Sequence, residues 1–200
     1  MPLIYITELR GGELISALAS DYTHGNSTCR KIVGRLLDAV CRPLNSFLMR
    51  WLHEGHLDDP HDEFFIWADM SVPASGLWHK KYHLRENMVP IFISLEQAKK
   101  VVVIGKTINF LKVVCKKRDP VWTLESIKRK QLNMDVSYLF ERQYDHSFAD
   151  LIDETYAESS RYLLSIYVEK FQLMEHLQAL KKYILLAQGD FCRMLMESVQ

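Results

Sequence analysis

The sequence predicts a mainly α fold: helical bundles with a small β-hairpin or strand insertion near residues 55–85. Three observations predict it. Apolar residues recur at helical spacing over three long stretches of the 200-residue chain. Those stretches are bounded by helix-start and helix-stop residues. The best strand candidate, Glu63-Phe64-Phe65-Ile66-Trp67, is short, aromatic and preceded by a turn. A hydrophobic content of 48% allows a substantial core in one or two domains.

Leu14 to Ala19 reads as a short helix after the Gly11-Gly12 punctuation, and His24-Gly25-Asn26 as a turn. Ser27 or Thr28 caps the next helix, which runs toward Trp51. Its stripe is Ile32, Val33, Leu36, Leu37 and Val40, continued by Leu44, Phe47, Leu48 and Trp51. Pro43 has no N–H to donate, so it is expected to kink or restart this helix. Gly55 stops it, and Asp58-Asp59-Pro60 turns the chain into the strand at 63–67. Residues 69–77 form a polar loop with Pro73 and Gly76, and Leu77 to Leu84 fits either a strand or a short helix up to Pro90.

Ser94, with Gln97 three residues on, marks a capping box for a helix running to about Lys117 and stopped by Asp119-Pro120. Residues 124–140 are weakly helical. Ser147 opens the longest periodic segment, with Leu163, Ile166, Leu173, Leu177, Leu180 and Ile184 on one stripe. Tyr156, Tyr162, Tyr167, Phe171 and Met174 widen it. One helix of about 35 residues would be about 50 Å long. Gly189-Asp190 marks a break before another apolar stretch at Phe191. No internal repeat or low-complexity tract is present.

Charge narrows the function. Twenty-five basic and twenty-five acidic residues give no net charge, which argues against bulk nucleic-acid or anionic-membrane binding. The neutrality hides a polarity. Leu52 to Asp69 contains six acids and no Lys or Arg, whereas Glu96 to Arg118 contains seven bases against Glu96 alone. Glu54, Asp58, Asp59, Asp62 and Glu63, with Lys99, Lys106, Lys112 and Lys116, are therefore the candidate interaction surface. The two clusters are natural counterparts, either within this chain or across to a neighbouring one. No apolar run approaches the roughly 18–20 residues of a membrane span. Glu8, Arg10 and Glu13 interrupt any signal-peptide core. Cys29, Cys41, Cys115 and Cys192 form no CxxC pair and read as reduced, buried thiols in a cytosolic protein.

Motifs of catalysis fail on their own chemistry. Val101 to Thr107 looks like a strand feeding a phosphate loop. The position needing a second glycine is Lys100, and the context is helical, with Gly105 allowing close helix packing. His53, His56 and His61 with the neighbouring acids are the densest ligand-type cluster. However, the histidines are off the four-residue helical spacing and the acids sit on a Pro turn, so a solvated loop is expected. A metal-dependent activity at 53–63 is the enzymatic alternative. Ser75 lacks the glycine of a nucleophile elbow. No enzyme, cofactor or metal is expected. The aromatic helix 147–186 fits core packing or a generic adaptor surface.

Five blocks in order carry a family resemblance. They are Leu9-Arg10-Gly11-Gly12-Glu13-Leu14, the segment Phe47 to Asp69, Leu77-Trp78-His79-Lys80-Lys81-Tyr82-His83-Leu84-Arg85, Met88 to Leu111 with its Ile104-Gly105-Lys106-Thr107-Ile108-Asn109-Phe110-Leu111 core, and His176 to Phe191. Together they resemble the gamma-tubulin complex proteins, the Spc97/Spc98 family, and within it the component 3, Spc98-like, branch. Thr107 and Ala187 depart from that pattern, which has Ser and Gly there. The resemblance implies a structural component of the gamma-tubulin complex that scaffolds gamma-tubulin into a lateral array for microtubule nucleation. It implies residues 1–178 as the later part of an N-terminal GRIP domain, contacting other complex components laterally. Residues 179–200 would begin the C-terminal GRIP domain, which binds gamma-tubulin. It further implies that the chain is a fragment, truncated gene model or short isoform lacking the main gamma-tubulin surface. The location implied is the cytoplasm and cytoskeleton at a microtubule-organising centre: centrosome, spindle pole body or dispersed sites.

Overall fold

The computed structural model describes residues 9–22, 27–115 and 147–199. The chain divides into two compact units, residues 1–159 and 160–200. The first contains α1 (Gly11–Tyr22), α2 (Ser27–Glu54), β1 (Ile66–Ala68), β2 (Tyr82–Leu84) and α3 (Leu95–Val113). Helix α4 is Ser147–Glu169; α5 (Leu173–Ala179) and α6 (Gly189–Val199) lie in the second unit. Two short turns link the hairpin, a 3-10 turn at Ala74–Gly76 and a π-helical turn at Leu77–Lys81, and a 3-10 turn at Glu86–Met88 follows β2.

Helix α2 runs 28 residues through Pro43 and does not restart there. Pro43 lies on the exposed face, so the N–H it lacks is missing from the solvent side of the helix, while Cys41 and Leu44 beside it are buried. The expected stripe is corrected at its start: Ile32 and Leu36 are exposed, and the buried line is Leu37, Cys41, Leu44, Leu48, Trp51 and Leu52. Gly55 ends the helix in the left-handed region, φ 61°, its N–H bonding to the Trp51 carbonyl at 2.9 Å.

The strand begins later than expected. The Asp59 carboxylate accepts from the N–H groups of Glu63 and Phe64, at 3.0 and 2.8 Å, so these residues are held by the loop and the ladder starts at Ile66. Residues 77–84 are both things the sequence allowed, a helical turn and then β2. The strands are antiparallel, with Trp67 opposite His83.

Ser94 and Gln97 form the full capping box of α3. The helix ends at Val113, short of Lys117, as the Val114 N–H closes on the Phe110 carbonyl. His24-Gly25-Asn26, Asp119-Pro120 and residues 124–140 lie outside the described residues. The single long helix expected from Ser147 is also corrected. Helix α4 stops after 23 residues, and Gln172 takes φ 49° before α5 begins. No Gly or Pro marks this break. At the far end the chain turns at 185–188, with Leu186 at φ 50°, so Gly189 opens α6 and is not the break itself.

Trp51 ties the first unit together. Its ring lies fully buried against α3 where Gly105 leaves room; a Cβ at 105 would overlap the indole. Its indole N–H donates to the Val101 carbonyl at 2.8 Å, and its ring meets Tyr82 of β2 edge-on at 4.9 Å. The glycine of the apparent phosphate loop is thus a packing glycine inside a buried helix.

Candidate interaction surface

Asp58, Asp59, Asp62 and Glu63 sit on one loop between α2 and β1, held by hydrogen bonds of Asp58, Asp59 and Asp62. Asp59 caps the entry to β1. Asp62, at φ 57°, receives Arg85 twice, at its carboxylate (2.6 Å) and its carbonyl (2.9 Å). Asp58 pairs with Arg50 at 3.0 Å, a solvent-exposed bridge of the kind worth about 1 kcal/mol or less. Glu54 ends α2 with an exposed side chain, and Glu63 is half-buried. The Asp69 carboxyl is held below its ordinary range by hydrogen bonds from Ser71.

The basic residues of α3 do something else. Lys99 is exposed. Lys100 bonds Asp153 at 2.9 Å and Glu96 at 3.0 Å, and these partners raise its ammonium pKa. Lys106 is half-buried, which pushes its pKa down. The Lys112 ammonium donates to the Glu54 carbonyl at 2.9 Å, and the Asn109 amide donates to the Gly55 carbonyl at 2.7 Å. Both therefore satisfy the carbonyl end of α2, where a cation also suits the helix dipole. Lys116 lies outside the described residues.

The two clusters are neighbours, but among the described residues they do not meet as opposite charges. The carboxylates are answered by Arg50 and Arg85, and α3 grips main-chain carbonyls. Arg50, Arg85 and Asn109 were missed by reading charge runs, because each acts singly. Asn109 had one signal: it stands four residues after Gly105, one turn along the same face.

Among the described residues no group of three or more His, Cys, Asp and Glu side chains is placed to hold a metal ion, and no helix is long and apolar enough to cross a membrane. Ser75 lies exposed in a 3-10 turn. The thiols are not uniformly buried as expected: Cys29 is exposed and Cys192 half-exposed, whereas Cys41 and Cys115 are buried. Burial, with Asp38 second, pushes the Cys41 pKa up to about 11. Of the aromatic stripe, Tyr156 packs against the first unit's core. Phe171 and Met174, with Leu177, Leu180 and Ile184, are exposed.

A cleft of about 320 Å³ opens beside the acidic loop, lined among others by Gly55, His56, Trp67, Met70, Tyr82 and Asn109. The Trp67 ring stacks on His83 at 4.8 Å and is partly exposed, and Met70 is almost fully exposed.

Two family models match this chain: gamma tubulin complex component N-terminal over residues 4–170, and gamma tubulin complex component C-terminal over residues 173–200. The chain is similar to gamma-tubulin complex component 3 of Homo sapiens, 40% identical over 189 residues that cover 94% of this chain and 21% of that protein. It is 33% identical to the spindle pole body component alp6 of Schizosaccharomyces pombe, covering 93% of this chain and 22% of that protein. It is 30% identical to the spindle pole body component SPC98 of Saccharomyces cerevisiae, covering 96% and 23%. The chain thus spans about a fifth of the length of the curated relatives it matches.

Proposed function

The chain belongs to the gamma-tubulin complex component family, and on that premise we propose that it is a scaffold segment of a gamma-tubulin complex supporting microtubule nucleation at a microtubule-organising centre, such as a centrosome or spindle pole body. The observation that carries this is the pair of family matches, which together run over nearly the whole chain. The mechanism is geometric. A template for tubulin needs fixed spacing between neighbours, and fixed spacing needs a stiff body. The first unit has the means: Trp51 locks α2 to α3 and to the hairpin, and α3 caps the end of α2. No step of this role calls for a catalytic residue.

The partners proposed are other complex components, met laterally through residues 1–178, and gamma-tubulin, met mainly through a C-terminal domain that residues 179–200 begin. The two family matches, which meet between residues 170 and 173, support a boundary in this part of the chain. Glu54, Asp58, Asp59, Asp62 and Glu63, with Lys99, Lys106 and Lys112, are proposed as lateral contact residues. Their support is position for the acids and Lys112, which stand around the end of α2 and the loop after it, and charge for Lys99, which is exposed, and Lys106, which is half-buried, on α3.

The protein carrying this chain, co-expressed with gamma-tubulin, is expected to co-sediment with it as a small complex or ring. A protein that sediments alone and leaves gamma-tubulin unbound overturns the proposal.

A further inference from the structure

Helix α2 carries two apolar lines, and only one of them is covered. The buried line is Leu37, Cys41, Leu44 and Leu48. The other is Ile32, Leu36, Val40, Pro43 and Phe47, which follow each other by steps of four, four, three and four and so share one side of the helix. Ile32 and Leu36 are 57% and 49% exposed, Pro43 is exposed, and Val40 and Phe47 are half-buried. From Ile32 to Phe47 this line is about 22 Å long. Its far end opens into a recess of about 200 Å³ between α2 and the start of α1, lined among others by Gly11, Leu14, Val40, Pro43 and Phe47. Glu63 also lines the recess, so an acid on an occupant belongs further up the line, beside the cations.

Those cations form one flank. Ser27 to His53 holds five Lys and Arg residues against Asp38 alone. Arg30 lies over the Tyr22 ring at 5.9 Å, and Arg50 bridges to Asp58. Lys31, Arg35 and Arg42 remain. All three are exposed, and no carboxylate among the described residues pairs with them. Each stands one position before a member of the uncovered line, Ile32, Leu36 and Pro43, so the three make a row along its edge. Apolar side chains beside a row of cations call for an occupant with apolar side chains beside a row of carboxylates. The main chain of α2 is bonded within the helix and offers nothing to an extended strand. The occupant must therefore satisfy its own amides, which a helix does.

We propose that this face of α2 docks an acidic amphipathic helix of a partner polypeptide. Its apolar residues cover Ile32 and Leu36, one of them enters the recess, and its Asp and Glu residues meet Lys31, Arg35 and Arg42. The proposal stands on α2 and is independent of the scaffold reading.

The test is fluorescence anisotropy with the full chain and a labelled peptide, acetyl-Glu-Leu-Ala-Glu-Leu-Leu-Glu-Glu-Leu-Ala-Glu-Leu-Leu-Glu-amide, whose length as a helix matches the line. Leu36→Ser and Arg35→Glu are each expected to weaken binding about tenfold with the circular dichroism of the chain unchanged. Leu185→Ser, at an exposed apolar site in the second unit, is expected to leave it within about twofold. An analogue with lysine at every glutamate is expected not to bind the natural chain, and to bind the chain that carries Lys31→Glu with Arg35→Glu. No binding of the acidic peptide at about 100 µM overturns the proposal. So does equal binding of the lysine analogue or of an isomer with its leucines grouped at one end, or an equal loss from Leu185→Ser. Equal affinity for a uridine oligonucleotide overturns it as well, since the surface then reads phosphate. Self-association of the chain that Leu36→Ser abolishes and the peptide does not compete also overturns it, since the occupant is then a second copy.

Discussion

The two units use apolar residues in opposite ways. In residues 1–159, Trp51, Phe64, Phe65, Ile104, Ile108 and Leu111 are fully buried. In residues 160–200, Ile184, Leu185, Met194 and Met196 are each 67–73% exposed. The helices would suggest the reverse. Helix α6 is sharply two-faced, whereas the apolar residues of α3 are spread around it; yet α3 is the buried one. The difference lies in closure between elements. The first unit sets a glycine against a tryptophan, gives the indole N–H a carbonyl, and caps α2 with side chains from α3. In the second unit side-chain bonds run to main chain only a few residues away, such as the Cys192 thiol to the Leu186 carbonyl and the Ser198 hydroxyl to the Leu195 carbonyl. Amphipathicity states which face is available; a lock of this kind states that it has been covered.

The largest test of that contrast is Trp51→Ala. It removes a fully buried ring joining three elements, and should cost about 3–5 kcal/mol in urea unfolding. Leu185→Ser, at an exposed site, should stay within about 0.5 kcal/mol. Equal losses from the two substitutions would erase the distinction between the units.

A smaller, cleaner comparison uses glycines. Gly105→Ala drives a methyl into the Trp51 ring and should cost about 1–3 kcal/mol, the range of overpacked cores. Gly189→Ala meets nothing within 4 Å and opens a helix, so it should be neutral or slightly stabilising. A neutral Gly105→Ala would mean that α2 and α3 separate readily, and the stiffness invoked for the scaffold would go with it.

These residues also show what could be read in the sequence and what could not. The α3 capping box was legible because Ser94 and Gln97 act on main chain three residues away. The close packing at Gly105 was legible as well, since a glycine inside an apolar helix has few other uses. The strand start was not: Asp59 withdraws Glu63 and Phe64 from the ladder, and a β-type composition does not reveal which amides are already bonded. The ends of the stripes in α2 and after α4 were not either. Ile32, Leu36, Leu177 and Ile184 have the right spacing, but spacing does not supply a cover. Of the candidate surface, the acids were found as a cluster while their partners, Arg50 and Arg85, were not. Arg85 reaches Asp62 across 23 positions, and only the hairpin fixes that distance.

The thiols give the smallest effect and the most local one, because it is absent at neutral pH. Burial, and then Asp38, raise the Cys41 pKa from 9.0 to about 11, so folding disfavours its thiolate. Between those values the unfolded chain has released the proton and the folded chain has kept it. Stability from this group is therefore complete below pH 9 and lost as pH rises to about 11, and Cys41→Ala should remove that slope in a pH series of urea midpoints. The same rise lowers the thiolate fraction at pH 8 by about a hundredfold against an unshifted thiol. Iodoacetamide at pH 8 should then label Cys192, in the second unit, well before Cys41. If both label at one rate, the first unit opens as freely as the second, and burial around Trp51 is not the lock that separates them.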